Sequence, residues 1–246
     1  MISKLFNNIF FIILLITFSD CIIAGPPYDT DDPEPVDLHH WEFYISSHST
    51  HNDAGWSGTL PHFEVNYGVI NNVQLHVIIP LAYNFPSQGS NIYGPGDAEL
   101  GVKLRFVQEG KTMPMIGIFP LLEVPTGSEY RGLGNGKPQI FLPVWLQKSF
   151  GKWQTYGGTG YWLNPGTDKK NWWYFGWMLQ RQFTKKLNAG IEIYHTPADN
   201  NSVNETRFNI GAVYDFTDHH HLLFSAGRGF NGPVKAQMYI GYQLTI

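Results

Sequence analysis

Val73-Gln74-Leu75-His76-Val77-Ile78-Ile79-Pro80-Leu81 alternates apolar and polar side chains with a period of two. Val73, Leu75, Val77, Ile79 and Leu81 share one face, and Gln74 and His76 occupy the other. Side chains of an extended strand point to opposite sides in turn, so this stretch predicts a strand between two unlike environments. The pattern recurs along the chain. Ala98, Leu100, Val102, Leu104 and Phe106 oppose Glu99, Lys103 and Arg105. Leu187, Ala189, Ile191 and Ile193 oppose Asn188 and Glu192, and Phe208, Ile210, Ala212, Tyr214 and Phe216 oppose Arg207, Asn209 and Asp215. The last residues repeat it, with Ala236, Met238, Ile240, Tyr242, Leu244 and Ile246 against Gln237, Tyr239, Gln243 and Thr245.

A soluble sandwich alternates in the same way, so the links between strands decide the fold class. Twelve strands are expected near residues 41-49, 58-67, 73-84, 97-107, 114-124, 139-149, 153-163, 172-183, 187-196, 206-216, 219-229 and 235-246. Tight links at Gly68 to Asn72, Gln108 to Met113, Phe150 to Lys152, Thr184 to Lys186 and Thr217-Asp218 alternate with long ones. The long ones are Thr50 to Ser57, Phe85 to Gly96, Pro125 to Pro138 and Pro197 to Glu205. Short turns on one side and long loops on the other describe an all-β, up-and-down transmembrane barrel with both termini at the periplasmic rim.

Composition agrees. Charged residues make up 15% of the chain, against about 25% in a typical globular protein, and aromatics another 15%. Mean hydropathy is only −0.20. Few charges, many rings and a middling hydropathy suit a wall with one greasy and one wet face. After residue 24 no apolar run is long enough for a membrane helix. The net charge of −4 offers no attraction for nucleic acid, and none is expected as a partner. Tyr67, Phe106, Phe150, Trp153, Phe183 and Phe216 stand at the tight turns, where amphipathic rings settle at headgroup level. Trp172 and Trp173 are candidates for the opposite belt.

The first 24 residues read as a secretory signal peptide: Lys4, an apolar stretch to Phe18, then small or aliphatic residues up to a cleavage site near Ala24. Cys21 lies within it, so the mature chain has no cysteine. Residues 25-40 carry prolines at 26, 27, 33 and 35 and no strand pattern. A periplasmic tail or rim clasp is expected there; the alternative is a plug folded into the lumen against Lys103 or Arg105. The barrel occupies 41-246, and a bacterial outer-membrane location follows.

With the apolar face toward lipid, Glu42, Glu64, Glu99, Lys103, Arg105, Glu192 and Arg207 line the lumen as candidates for solute selectivity. Their alternative role is to pair with each other and fill a closed barrel. His219-His220-His221 is the densest set of metal-ligand types, but neighbouring strand residues diverge, so no metal and no cofactor is expected. His48-Ser49-Thr50-His51-Asn52 offers the residue types of a hydrolase, in a run that leads into a loop. The function expected is passive passage of small solutes. A barrel lipid hydrolase or acyl-modifying enzyme, and a structural or adhesive barrel, are the alternatives.

Two stretches add a resemblance. Ala24-Gly25-Pro26-Pro27-Tyr28-Asp29-Thr30-Asp31-Asp32-Pro33-Glu34-Pro35, followed by Trp41-Glu42-Phe43-Tyr44, is one, and Gly96-Asp97-Ala98-Glu99-Leu100-Gly101-Val102-Lys103-Leu104-Arg105-Phe106 is the other. Both resemble the family of outer-membrane proteins named for the MetA pathway of phenol degradation. The resemblance implies a barrel and a channel for small, aromatic or hydrophobic molecules, with outer-membrane lipid and a small solute as partners. Tyr239-Ile240-Gly241-Tyr242-Gln243-Leu244-Thr245-Ile246 resembles the C-terminal signal read by the barrel-assembly machinery, although it ends on Ile246 rather than an aromatic.

Overall fold

A computed structural model describes residues 25–166, 169–196 and 204–246. The signal peptide expected at 1-24, its cleavage site and most of the Pro197 to Glu205 loop lie outside the described residues. Twelve antiparallel strands close into one barrel. They are β1 (Trp41–Asn52), β2 (Gly55–Ile70), β3 (Val73–Pro86), β4 in two pieces (Ile92–Pro95 and Ala98–Val107) and β5 in two pieces (Met115–Ile118 and Leu121–Val124). There follow β6 (Gln139–Phe150), β7 (Trp153–Leu163), β8 (Trp172–Thr184), β9 (Leu187–Thr196), β10 (Glu205–Asp215), β11 (His220–Gly229) and β12 (Ala236–Thr245).

Each strand pairs with its neighbour in sequence, and β12 returns to β1 over Glu42↔Thr245 to His51↔Ala236. Trp41 and Ile246 exchange backbone hydrogen bonds of 2.8 and 2.9 Å, which seals the seam at the rim where the barrel domain begins and ends. Closure removes the open edges that a flat sheet would leave unpaired in hydrocarbon. The break in β4 falls at Gly96-Asp97, and that in β5 at Phe119-Pro120, where proline cannot donate to the ladder.

The alternation decides which face meets which medium. Leu75, Ile79, Leu100, Val102, Leu142, Val144, Ile191, Ile193, Ile210 and Ile240 are all exposed on the outside. The inward-facing rows of the strands carry buried polar residues: Gln74, His76, Lys103, Gln139, Gln147, Gln154, Gln180, Asn188, Glu192, Asn209, Gln237 and Gln243. An inside-out distribution of this kind is stable only where the outer surface is covered by hydrocarbon. Phe106, Phe150, Trp153, Phe183 and Phe216 ring the tight-turn rim and face outward.

Two links differ from expectation. Thr50 to Ser57 is not a long loop: β1 and β2 run on to Asn52 and Gly55 and turn at Asp53-Ala54. Gly55 and Gly58 hold positive φ values of 135° and 158°, and a Cβ at Gly58 would lie 2.0 Å from the His48 carbonyl oxygen. Two glycines thus let a polar hairpin continue past the point where side-chain alternation stops. Likewise half of Phe85 to Gly96 is strand, because β3 runs to Pro86 and Ile92–Pro95 pairs with Leu81 to Asn84 of β3.

Candidate functional site

The lumen is the concave, polar part of the molecule, and all seven charged candidates project into it. Glu42 accepts from Tyr44 Oη at 2.8 Å. Glu64 accepts from Asn66 Nδ2 at 2.9 Å and lies 3.6 Å from His76, whose other ring nitrogen is 3.0 Å from Glu99. Arg207 donates to Glu205 at 2.6 Å and packs its guanidinium 5.9 Å from the Tyr194 ring centre. These three groupings stay within the wall. Lys103, Arg105 and Glu192 instead reach the N-terminal segment.

That segment, expected as a periplasmic tail or rim clasp, threads the lumen. Only Leu38 to His40 clasp the rim: Leu38 bridges to Gly68, and His39 N–H donates to the Gly68 carbonyl at 2.7 Å. Before them, Val36 N–H donates to Gln74 Oε1 at 2.9 Å, and Glu34 accepts from Gln147 Nε2 at 3.0 Å and lies 3.5 Å from Arg105. Lys103 donates to Asp31 Oδ1 at 2.8 Å and sits 3.6 Å from Asp32. Deeper still, Glu192 accepts from the backbone N–H groups of Asp29 (3.2 Å) and Thr30. Thr30 Oγ1 meets Tyr174 Oη at 3.0 Å, and Ser225 Oγ donates to the Pro27 carbonyl at 2.6 Å.

The physical reason is charge. Asp31, Asp32 and Glu34 meet the cations Lys103 and Arg105, and Glu192 adds an acceptor for the backbone N–H groups of Asp29 and Thr30 where a solvated tail would find only water. Thr30 and Asp32 are wholly buried as a result. Burial pushes the Asp32 carboxyl above the usual carboxylate range, and the Lys103 ammonium beside it pulls the other way. Proline at 33 and 35 keeps the segment from joining the sheet, so it remains a separate strap within the wall.

Below the strap a cavity of about 340 Å³ opens at the tight-turn rim, bordered by Glu34, Glu42, Glu64, Asn66, Lys103 and Thr245. Above it lies an aromatic layer. Phe141, Trp145, Tyr174 and Tyr194 are buried together, with Trp162 stacked on Phe141 at 4.7 Å and on Trp172 at 5.6 Å. Trp172 therefore belongs to the lumen, while Trp173 is exposed outside. Tyr194 Oη donates to Gln237 Oε1 at 2.8 Å. Charge does not mark these tyrosines, Trp145 or the glutamines. The inward half of the alternation at Gln237, Tyr239 and Asn209 was the signal that marked such positions.

The other candidates separate in space. His48 points inward to Asp29 at 3.7 Å. Ser49, on the opposite face, accepts from Tyr83 Oη at 2.6 Å, and His51 packs against Trp56 at 4.7 Å. The run lies in β1 rather than in a loop, and its serine and histidines do not meet. His219 reaches the Thr245 carbonyl at 2.8 Å, His220 the Tyr242 hydroxyl at 2.5 Å, and His221 the Asp215 carboxylate at 2.6 Å. Three divergent rings leave no common centre for an ion.

Solved structures share this architecture. The COG4313 outer membrane channel from Pseudomonas putida F1 superposes with a TM-score of 0.73 at 17% identity, over 89% of this chain and all of that one. The KdgM porin in complex with disordered oligogalacturonate and the NanC porin each give 0.56, at 9% and 7% identity, over 82% of this chain and 98% of theirs. No curated protein sequence matches. A family profile does, across residues 63–244 and so over more than half of the chain. The chain belongs to the family described as "Putative MetA-pathway of phenol degradation".

Proposed function

We propose that this chain is a bacterial outer-membrane channel for passive passage of small aromatic or hydrophobic solutes, with residues 25-37 as its internal strap. The observation that carries this reading is the construction of the interior. A barrel that served only as a scaffold would fill its core by interdigitating its own side chains. Here the middle of the lumen is occupied by a separate, acidic segment held by hydrogen bonds and ion pairs. Such contacts are reversible on the time scale of segment motion. The aromatic layer at Phe141, Trp145, Tyr174 and Tyr194, edged by Gln237 and Asn209, presents ring faces and amides, with the Arg207 guanidinium at its side against Tyr194. Ring faces and neutral amides favour a solute with an apolar ring and one polar handle. Solved barrels of the same shape include proteins described as a channel and as porins, which supports the same class. Outer-membrane lipid, the solute and the barrel-assembly machinery are the partners this reading requires.

Planar-bilayer recording of the purified full chain tests it against a chain lacking residues 25-37. Discrete conductance that rises several-fold on deletion is expected. Silence from both proteins, or hydrolysis of phospholipid by either, would overturn the channel.

A further inference from the structure

Three cations at the tight-turn rim take no part in the lumen. Arg181 of β8 is exposed on the outer wall, pairs across the ladder with Trp153, and lays its guanidinium 5.2 Å from the Trp153 ring centre and 5.3 Å from that of Phe183. Lys152 stands in the β6–β7 turn, where its carbonyl accepts from Gln182 N–H at 2.9 Å, so this turn and β8 are locked side by side. Lys185 stands in the β8–β9 turn immediately beyond Phe183 and Thr184. Among the described residues none of these three ion-pairs with a carboxylate. Glu109, on a turn of the same rim, is already held by Lys148 at 2.9 Å and by Ser149 at 3.1 Å. Lys186 turns away to the Phe216 carbonyl at 3.1 Å.

An arginine on a lipid-facing wall is tolerated near the interface, where its head reaches water or headgroups. The two rings fix the guanidinium plane yet leave its edge donors free, and those donors form the fork that grips a phosphate in two places. We propose that Arg181, Lys152 and Lys185 form a binding site for the headgroup phosphate of an anionic phospholipid in the periplasmic leaflet. Trp153 and Phe183 would then lie along the first carbons of its acyl chains. Phe150, exposed beside Trp153 in the same hairpin, extends that apolar floor.

The inference rests on the outer-membrane reading, so the two are tested separately. Heat-modifiable migration after insertion into vesicles reports the barrel; native mass spectrometry from mixed micelles reports retained lipid. The wild-type chain is expected to retain dimyristoylphosphatidylglycerol in preference to dimyristoylphosphatidylcholine. Inorganic phosphate at millimolar concentration should compete poorly, because it lacks the chains. Each cation near a membrane surface contributes enough that Arg181→Gln should weaken retention about fivefold and the triple change with Lys152→Gln and Lys185→Gln roughly a hundredfold. Lys152→Gln and Lys185→Gln alone lie in turns and serve if Arg181→Gln misfolds. Equal retention of the two lipids, retention unchanged in inserted variants, or full displacement by inorganic phosphate would each overturn the site.

Discussion

Glu192 holds the tip of the internal strap with both carboxylate oxygens. One oxygen accepts from Thr30 N–H; the other accepts from Asp29 N–H at 3.2 Å and Asn209 Nδ2 at 2.7 Å. Every group aimed at this side chain is a donor. A glutamine of the same shape would turn an NH₂ toward one set of N–H groups and leave them without an acceptor. A hydrogen bond contributes about 0.5–1.5 kcal/mol, and an orphaned buried donor costs about 1–3 kcal/mol. Glu192→Gln is therefore expected to loosen the strap, seen as longer open dwell times in single-channel traces at unchanged maximal conductance. Traces indistinguishable from wild type would show that the tip carries no gating load. At this scale the sequence was partly legible. Alternation placed Glu192 and Asn209 on the inward face, and Lys103 was named as the partner a plug would seek. What it could not show was which backbone groups would arrive, because residues 25-40 have no periodicity and their path is set by tertiary charge pairing.

Among the elements, β4 shows how a strand break is put to use. At Gly96-Asp97 the ladder is interrupted, and Asp97 turns toward the loop between β5 and β6. Its Oδ1 accepts from Gly127 N–H at 2.8 Å and its Oδ2 from Asn135 N–H at 2.5 Å, so one carboxylate pins both ends of the glycine-rich run. A Cβ at Gly134 would lie 2.3 Å from Asp97 Oδ1, which explains a glycine there. Lys169 Nζ adds a bond to the Asn135 carbonyl at 2.9 Å. Asp97→Ala removes two charge-assisted bonds at once and frees the loop without touching the barrel wall. Trypsin should then cut after Arg131 at least tenfold faster than in wild type, while heat-modifiable migration stays the same. An unchanged cleavage rate would mean that buried Leu133 and the Lys169 bond hold the loop without Asp97. Strand positions were legible to within a few residues, because period-two alternation survives along most of each strand. The hairpin at Asp53-Ala54 was missed for a physical reason: Ser47, Ser49, Thr50 and Asn52 are polar on both faces, so the alternation vanishes although the backbone ladder continues.

For the whole molecule, one contrast governs stability: an apolar outside against a polar inside. No soluble packing explains Ile79 at 61% exposure together with Gln243 at 0%. The contrast makes a directional prediction about charge. Val144 lies near the middle of β6, outward and exposed, one residue from the fully buried Trp145 on the inner face. Placing arginine at a lipid-facing midplane position costs about 2–4 kcal/mol in a membrane barrel. In a water-facing surface position the same change usually falls within about ±0.5 kcal/mol. Val144→Arg thus separates the two settings by a margin that equilibrium denaturation resolves. Urea unfolding from phospholipid vesicles should show the variant less stable by the larger figure. Lys152→Gln, at the rim, should stay within the smaller one in vesicles of zwitterionic lipid, where its charge has no anionic headgroup to meet. If Val144→Arg proved neutral while the protein remained folded without detergent or lipid, the outer face would be meeting water, and the lumen, the strap and the lipid site would all lose their setting.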